Sequence, residues 1–151
     1  MHVAESVLFQ GLGQDFMREI SEIAKEINFK ENQIVFNRGD SADYLYILVH
    51  GHVNLFIQEG GSLNSAVDET GEVFGWSALV DPNIYTASAQ CFEDTTVLRI
   101  DATSLEHVFD RYPKEAYRVM KRLSGVIGQR LATSYADHLR SRAEVATPSY
   151  G

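Results

Sequence analysis

Two histidines separated by one residue are the first side chains in this sequence whose spacing could support chemistry. His50 and His52 flank Gly51, and Glu59 follows soon after. Residues two apart on one strand point to the same face, so two such imidazoles could chelate a metal beside a carboxylate. Gly51 is typical of a turn, however, and the next histidine, His107, lies in a helical part of the sequence. We therefore interpret His50 and His52 as solvated turn residues and predict no metal site.

A second candidate site surrounds Gly75. This glycine lets a ligand approach the backbone closely, and the amides of Trp76, Ser77 and Ala78 can present N–H donors. The hydroxyls of Ser77 and Thr86 could add weaker donors. These groups are suited to an anion, provided that a positive charge accompanies them.

The charges of the chain are unevenly distributed. The net charge is −8, which argues against a general nucleic-acid binder. The stretch from Gly39 to Leu98 contains no Lys or Arg and nine acidic residues, whereas nine basic and six acidic residues follow from Arg99 onward. A pocket drawn from the acidic part alone would hold no cation. The basic residues of the C-terminal helical region form a solvated face in the simplest interpretation, and alternatively one of them reaches the pocket: Arg111, Lys114, Arg118, Lys121, Arg122 and Arg130.

Two stretches resemble the cyclic nucleotide-binding domain superfamily, in particular the sensor domains of catabolite-activator and Fnr-type regulators. Residues 74–89 resemble the phosphate-binding cassette, in which Phe-Gly-Glu is followed by an apolar half-turn and then by Arg and small residues. Residues 39–55 resemble the family core, with Gly-Asp at its start and a later Gly before a short apolar strand. In that family the cassette Glu binds the ribose hydroxyl, and the Arg forms a bidentate contact with the phosphate.

The resemblance implies an effector site with altered specificity. Trp76 stands at the Glu position and Tyr85 at the Arg position. Loss of a bidentate Arg contact of about 2–4 kcal/mol weakens affinity roughly 30- to 1000-fold, so cyclic AMP is not expected in the usual mode. Trp76 and Tyr85 either line a changed pocket or merely fill the vacated site, and Trp76→Glu with Tyr85→Arg is expected to restore affinity if the frame is intact. The implied effector-binding residues are Phe74, Gly75, Trp76, Ser77, Ala78, Tyr85 and Thr86.

The hydrophobic pattern predicts a single domain, 1–151, that is mainly β with flanking helices. Apolar residues at helical spacing predict an N-terminal helix over 14–25. Short β-branched and aromatic runs over 27–101, separated by turn residues, predict a double-stranded β-helix or jelly-roll barrel. Helices follow over 103–139 and a loose tail over 140–151. The individual strands are predicted at 34–36, 44–49, 53–57, 66–68, 85–92 and 96–100.

Two local signals divide the C-terminal helices. Thr103 to Glu106 fits a capping box at the start of the first helix. Pro113 ends that helix near Tyr112 and is suited to the first turn of a second, long one. The long helix carries more apolar surface than one contact needs, which predicts a homodimer through a parallel helix pair. The predicted interface residues are Met120, Leu123, Ile127 and Leu131.

Other features restrict the class of protein. The single cysteine, Cys91, cannot form an internal disulfide, so a cytoplasmic location is expected. The sequence has neither a signal segment at its start nor an apolar run of the ~20 residues that a membrane span requires. No nucleophile–base set is recognisable, and no cofactor is expected. The long helix of the transcription-factor relatives precedes a winged helix-turn-helix domain, and since only residues 140–151 remain here, we expect a stand-alone module without direct DNA binding.

The sequence therefore predicts a non-catalytic regulatory module that binds an unknown small-molecule effector. One alternative is a cupin-like metalloenzyme using His50, His52 and Glu59, because metal-binding cupins share the jelly-roll class. The other is the sensor component of a Crp/Fnr-type transcription regulator that acts through a partner.

Overall fold

The computed structural model describes residues 3–57 and 64–150, with residues 64, 138 and 141–150 described by their backbone alone. A short 3₁₀ helix (Val3–Glu5) precedes the main elements. The helices are α1 (Gln14–Ile23), α2 (Ala102–Arg111) and α3 (Pro113–Tyr150), and a second 3₁₀ helix spans Trp76–Leu79. The strands are β1 (Ala24–Phe29), β2 (Ile34–Phe36), β3 (Tyr44–His50), β4 (Val53–Phe56), β5 (Asn64–Val67), β6 (Val73–Phe74), β7 (Ser88–Cys91) and β8 (Thr95–Asp101).

The strands form two four-stranded antiparallel sheets. One sheet has the order β1-β8-β3-β6 and the other β2-β7-β4-β5. Successive side chains of a strand point to opposite faces, and β3 is buried on both. Leu45 and Ile47 belong to a core shared with the helices, whereas Tyr46 and Leu48 belong to a core shared with the second sheet. The predicted class, mainly β with flanking helices in a roll of two sheets, is confirmed.

The N-terminal helix ends earlier than predicted. Ala24 and Lys25 lie in β1, where they pair with Ile100 and Arg99 of β8. Pairing with a free sheet edge outweighs the local helical period, because helix propensity is only a weak preference. The sequence analysis also missed β6, which contains only two residues, and placed the start of β7 three residues too early.

The cap of α2 and the end of α3 differ from the predictions. The carboxylate of Asp101, not the Thr103 hydroxyl, caps α2 by accepting from the Ser104 amide at 2.8 Å. Asp101 is the last residue of β8 and has the extended backbone that a cap requires. The break between α2 and α3 falls at Tyr112, as predicted. The predicted tail over 140–151 is wrong, since α3 continues to Tyr150. Five of the eleven residues from Arg140 to Tyr150 are Arg, Ala or Glu, which favour a helix.

The first part of α3 is fixed to the body of the domain. Val119 and Leu123 are buried in the core that contains α1 and α2. Arg122 donates from Nη1 to the carbonyls of Leu8, at 3.1 Å, and Gln10, at 2.7 Å. From residue 131 to 137 every side chain is exposed, so the anchored part of α3 ends near residue 130.

Candidate ligand-binding site

The turn at Gly75 connects β6 to the 3₁₀ helix Trp76–Leu79. Gly75 has a φ of 72°, in the left-handed region, and acts as the N-cap residue of this helix. A side chain here would lie 3.2 Å from the Tyr44 carbonyl oxygen and 3.0 Å from the Tyr46 ring. Glycine is therefore required both by the backbone conformation and by the close neighbouring strand.

Asn83 holds the loop that follows the 3₁₀ helix. Its Nδ2 donates to the carbonyls of Ser77 and Ala78, each at 3.2 Å. Beyond it, the Tyr85 amide donates to the Asp40 carbonyl at 2.9 Å, and the Tyr85 carbonyl accepts from the Gly39 amide at 2.8 Å. The segment from Gly75 to Tyr85 is thus bonded both to itself and to the turn at 39–41.

Tyr85 is a core residue. Only 4% of it is exposed, and its ring stacks on Phe36 with centroids 3.7 Å apart and an interplanar angle of 9°. Its hydroxyl donates to the Tyr44 carbonyl at 2.7 Å and accepts from the Tyr44 amide at 3.3 Å. Burial raises the pKa of Tyr85 above its usual value. Of the two possibilities left open by the sequence, Tyr85 therefore fills the interior and bonds to β3.

Trp76 has the other role. It is half-buried and lines a cavity of about 350 Å³ between the 3₁₀ helix, the second sheet and α3. The walls are mostly apolar, with hydroxyls from Ser65, Thr86 and Ser134 and a carboxylate from Asp137. The other lining residues are Leu55, Phe56, Ile57, Ala87, Ile127, Arg130 and Leu131.

The remaining predicted effector-binding residues fall into two groups. Thr86 is exposed and lines the cavity beside Trp76. Phe74, Ser77 and Ala78 are buried and do not line it. These three residues therefore form the scaffold beneath the site.

Arg130 is the cation that reaches this site. Its Nη2 donates to Glu72 Oε2 at 3.1 Å and to the Val73 carbonyl at 3.4 Å. Its guanidinium carbon lies 5.0 Å from the centroid of the Trp76 ring, within the range of a cation–π interaction. Burial lowers the pKa of Arg130, and the Glu72 carboxylate opposes that shift.

In the sequence, Arg130 is one of six basic residues that could reach the pocket, and nothing in its immediate neighbours distinguishes it. Helical spacing was the signal available, because Ile127, Arg130, Leu131 and Ser134 lie three, four and seven residues apart on one face. Arg122 is engaged at the N-terminal segment, and Arg118 is exposed.

The histidine pair does not form part of an enclosed site. Gly51 has a φ of 120° between β3 and β4, which confirms the predicted turn. His50 is exposed, and the His52 ring stacks on Phe92 with centroids 5.2 Å apart. Glu59 lies outside the described residues. Within the part of the chain that the structure describes, no group of three or more His, Cys, Asp and Glu residues is arranged to hold a metal.

The predicted dimer residues have different environments. Leu123 is 1% exposed and lies in the core of its own chain, so its place in an intermolecular seam was wrong. Met120 and Ile127 are partly buried against the same core, and Leu131 is 67% exposed. Among the described side chains of α3, the large apolar residues left exposed form a stripe, which we term the outer stripe: Tyr117, Leu131, Tyr135 and Leu139. Its members share one face at helical spacing.

These observations define a class of protein: a two-sheet antiparallel domain with a cavity closed on one side by a C-terminal helix. Among residues 3–57 and 64–150, no helix has the length and apolar character needed to cross a membrane. The sequence profile of the cyclic nucleotide-binding domain matches residues 26–112, which is more than half of the chain. The chain belongs to the cyclic nucleotide-binding domain family, and its fold is that of a regulatory, ligand-binding module.

Known proteins that resemble this chain occur in several settings. A putative cyclic nucleotide-binding protein from Geobacter metallireducens superposes with a TM-score of 0.73 and 26% identity, covering 82% of this chain and 91% of that one. Glutaminase 1 from Bradyrhizobium diazoefficiens is 28% identical over 89% of this chain, which spans 21% of the glutaminase. The cyclic AMP receptor protein of Thermus thermophilus is 27% identical over 83% of this chain and 57% of its own length. The chain thus corresponds to one part of several longer proteins.

Proposed function

We propose that this domain is a non-catalytic regulatory module whose effector is not cyclic AMP or cyclic GMP held in the family's usual mode. The observation that supports this proposal best is the position of Tyr85. The residue at the family's arginine position is stacked on Phe36 and bonded to the backbone of Tyr44, so it offers no charge to a phosphate. Trp76, at the family's glutamate position, presents an indole ring to the cavity instead of a carboxylate.

The cavity is suited to a mainly apolar small molecule. At about 350 Å³ it falls within the usual range of small-ligand pockets, and its walls combine apolar side chains with a few polar groups. A ligand here would touch Trp76 on one side and Ile127 of α3 on the other. Binding could therefore be transmitted to α3, which is the element most suited to contact a partner.

Calorimetric titration with cyclic AMP and cyclic GMP tests the altered specificity. We expect no saturable binding at tens of micromolar nucleotide. The family's arginine, which binds the phosphate, and its glutamate, which binds the ribose hydroxyl, are both replaced. Thr86→Ala is the matched variant, since Thr86 lines the cavity but makes no buried contact with the core. Saturable heat with micromolar affinity in the wild type that is reduced in Thr86→Ala would contradict the proposal.

We further propose that two copies of the chain pair through the outer stripe of α3. Tyr135 is 63% exposed and Leu139 49%, although both are large apolar residues on one face. Neither lines the cavity, so Tyr135→Asp with Leu139→Asp perturbs the pairing without altering the ligand site. We expect a dimer for the wild type and a monomer for this variant in sedimentation at micromolar concentration. A monomeric wild type would refute the pairing.

A further inference from the structure

Arg130 is incompletely satisfied for a buried cation. Its side chain is 19% exposed, and its described hydrogen bonds all come from Nη2. Nη1 is buried and has no hydrogen-bond partner among the described residues. A guanidinium has five N–H donors in a planar fork, and an unpaired buried donor destabilises the state that contains it. The structure thus contains a charged donor for which a further acceptor would be favourable.

The position of Arg130 determines where that acceptor could come from. Its side chain lines both the apolar cavity beside Trp76 and a neighbouring groove of about 660 Å³. The groove contains Glu69 and Glu72, and Glu72 already occupies Nη2. Among the described residues, the apolar cavity offers Arg130 the hydroxyls of its walls and Asp137, which is paired with Arg140 at 3.3 Å. An additional acceptor can therefore enter from the cavity side.

We propose that the effector is a small apolar monoanion, such as an aromatic or short aliphatic carboxylate, whose acidic group binds Arg130 while its apolar body lies against Trp76. This inference rests on the proposed function of the cavity. Because Nη1 is covered, the guanidinium turns toward the cavity on binding, and the planar fork can keep Glu72 on one edge while it takes the ligand on the other. The hydroxyls of Ser65, Thr86 and Ser134 supply neutral donors to the same acidic group.

The charges around the cavity favour a monoanion over a dianion. Of the side chains that the structure describes around it, Arg130 is the one basic residue, and Glu72 already neutralises much of its charge. Asp137 adds a further carboxylate to the wall. A phosphate monoester would bring two negative charges to this site, and like charges within a few ångströms repel strongly in a partly buried setting. The apolar side chains of Leu55, Ile127 and Leu131 favour an uncharged body.

A pair of dyes that differ in one charged group tests this inference directly. Anilinonaphthalenesulfonate and N-phenylnaphthylamine have the same ring system, but only the first carries a sulfonate. Trp76 is the single tryptophan of the chain and lines the cavity, so energy transfer from Trp76 to either dye reports binding at this site. We expect saturable binding of the sulfonate to the wild type with one dye per chain.

The variants separate charge from cavity shape. Arg130→Gln should weaken the sulfonate about 10- to 100-fold, the range of a lost charged hydrogen bond, and change the affinity of the neutral dye less than about twofold. Arg118→Gln is the matched control, since Arg118 is an exposed arginine on the same helix, and it should change neither dye. Glu72→Gln should tighten the sulfonate, because Arg130 then has no competing carboxylate.

The results distinguish the two levels of the proposal. Equal sulfonate affinity in the wild type and Arg130→Gln would overturn the monoanion assignment while the cavity remained a ligand site. Failure of both dyes to accept energy from Trp76 in the wild type would overturn the ligand-binding cavity itself. If Arg130→Gln does not fold, Glu72→Gln with Arg130→Gln removes both charges together and provides the same comparison.

Discussion

The family places an arginine at the position of Tyr85. Replacing Tyr85 by arginine should strongly lower the free energy of unfolding of the domain and should not restore cyclic nucleotide binding. In the folded chain the Tyr85 ring stacks on Phe36, and its hydroxyl satisfies both the carbonyl and the amide of Tyr44. An arginine loses the stack and, because it has no acceptor atom, leaves the Tyr44 amide without a partner. It also brings a cation into a position that is 4% exposed.

The size of the effect follows from these contacts. The aromatic stack contributes about 1 kcal/mol beyond burial, and unsatisfied buried polar groups cost about 1–3 kcal/mol. With the poorer fit of the new side chain, we expect Tyr85→Arg to lower the free energy of unfolding by about 3–5 kcal/mol. Tyr85→Phe keeps the ring and should lose only about 1–2 kcal/mol. Domains of this size have about 5–15 kcal/mol in total, so Tyr85→Arg should be close to unfolding.

Urea denaturation followed by Trp76 fluorescence measures the difference. With a urea dependence of about 1–3 kcal/mol per molar, a loss of this size moves the midpoint by roughly 2 M. Ile84→Arg is the matched control, because Ile84 is the neighbouring residue in the chain and is 44% exposed, and it should stay within about 0.5 kcal/mol of the wild type. If the free energy of unfolding of Tyr85→Arg also lies within about 0.5 kcal/mol of the wild type, the conclusion that Tyr85 belongs to the core is wrong. Acquisition of cyclic AMP affinity by Trp76→Glu with Tyr85→Arg in a stable protein would lead to the same conclusion.

Two further predictions concern stability. Gly51→Ala should lower the free energy of unfolding, measured in urea, by more than about 2 kcal/mol, because the added carbon would lie 2.7 Å from the Thr95 Cα at a φ of 120°. Gly128→Ala should raise it by about 0.5–1 kcal/mol, because Gly128 lies in α3 with open space around it. Equal effects of the two changes would contradict this assignment. Burial raises the pKa of Tyr46 to about 12 and also raises that of Tyr85. The folded state should therefore lose stability as pH rises from about 10 toward 12, at about 1.4 kcal/mol per pH unit for each buried tyrosine. Below that pH window these two tyrosines should cause no loss of stability. Phenolate absorbance showing all seven tyrosines ionised near pH 10 in a folded protein would refute it.

Patterns within single segments predicted most of the elements but not those that depend on distant partners. The strands at Ile34–Phe36 and Tyr44–His50 follow from local composition, as does the break at Pro113. β1 does not, because its residues continue a helical period and become a strand only where β8 offers a free edge. β6 is two residues long and is defined by its pairing with β3.

The candidate site shows the same division. The sequence marks Gly75 as a point where a ligand could approach the backbone, and its φ of 72° adds a conformational reason for glycine there. Whether Tyr85 lined the cavity or filled the core depended on Phe36, which is far away in sequence. Arg130 likewise meets Glu72 only after α3 packs across the roll, so sequence spacing could place it on a face but could not identify its partner.

The way in which α3 is attached makes it a lever. It is fixed to the domain as far as Arg130, whose guanidinium bonds to Glu72, and the helix continues to Tyr150 without another anchor among the described side chains. At 1.5 Å per residue, the helix extends about 30 Å beyond Arg130. A rotation of about 5° at the anchored end would therefore displace the far end by about 2.5 Å. A rearrangement confined to one guanidinium and one indole ring would thus be magnified to about the width of an atom or more at the other end of the helix.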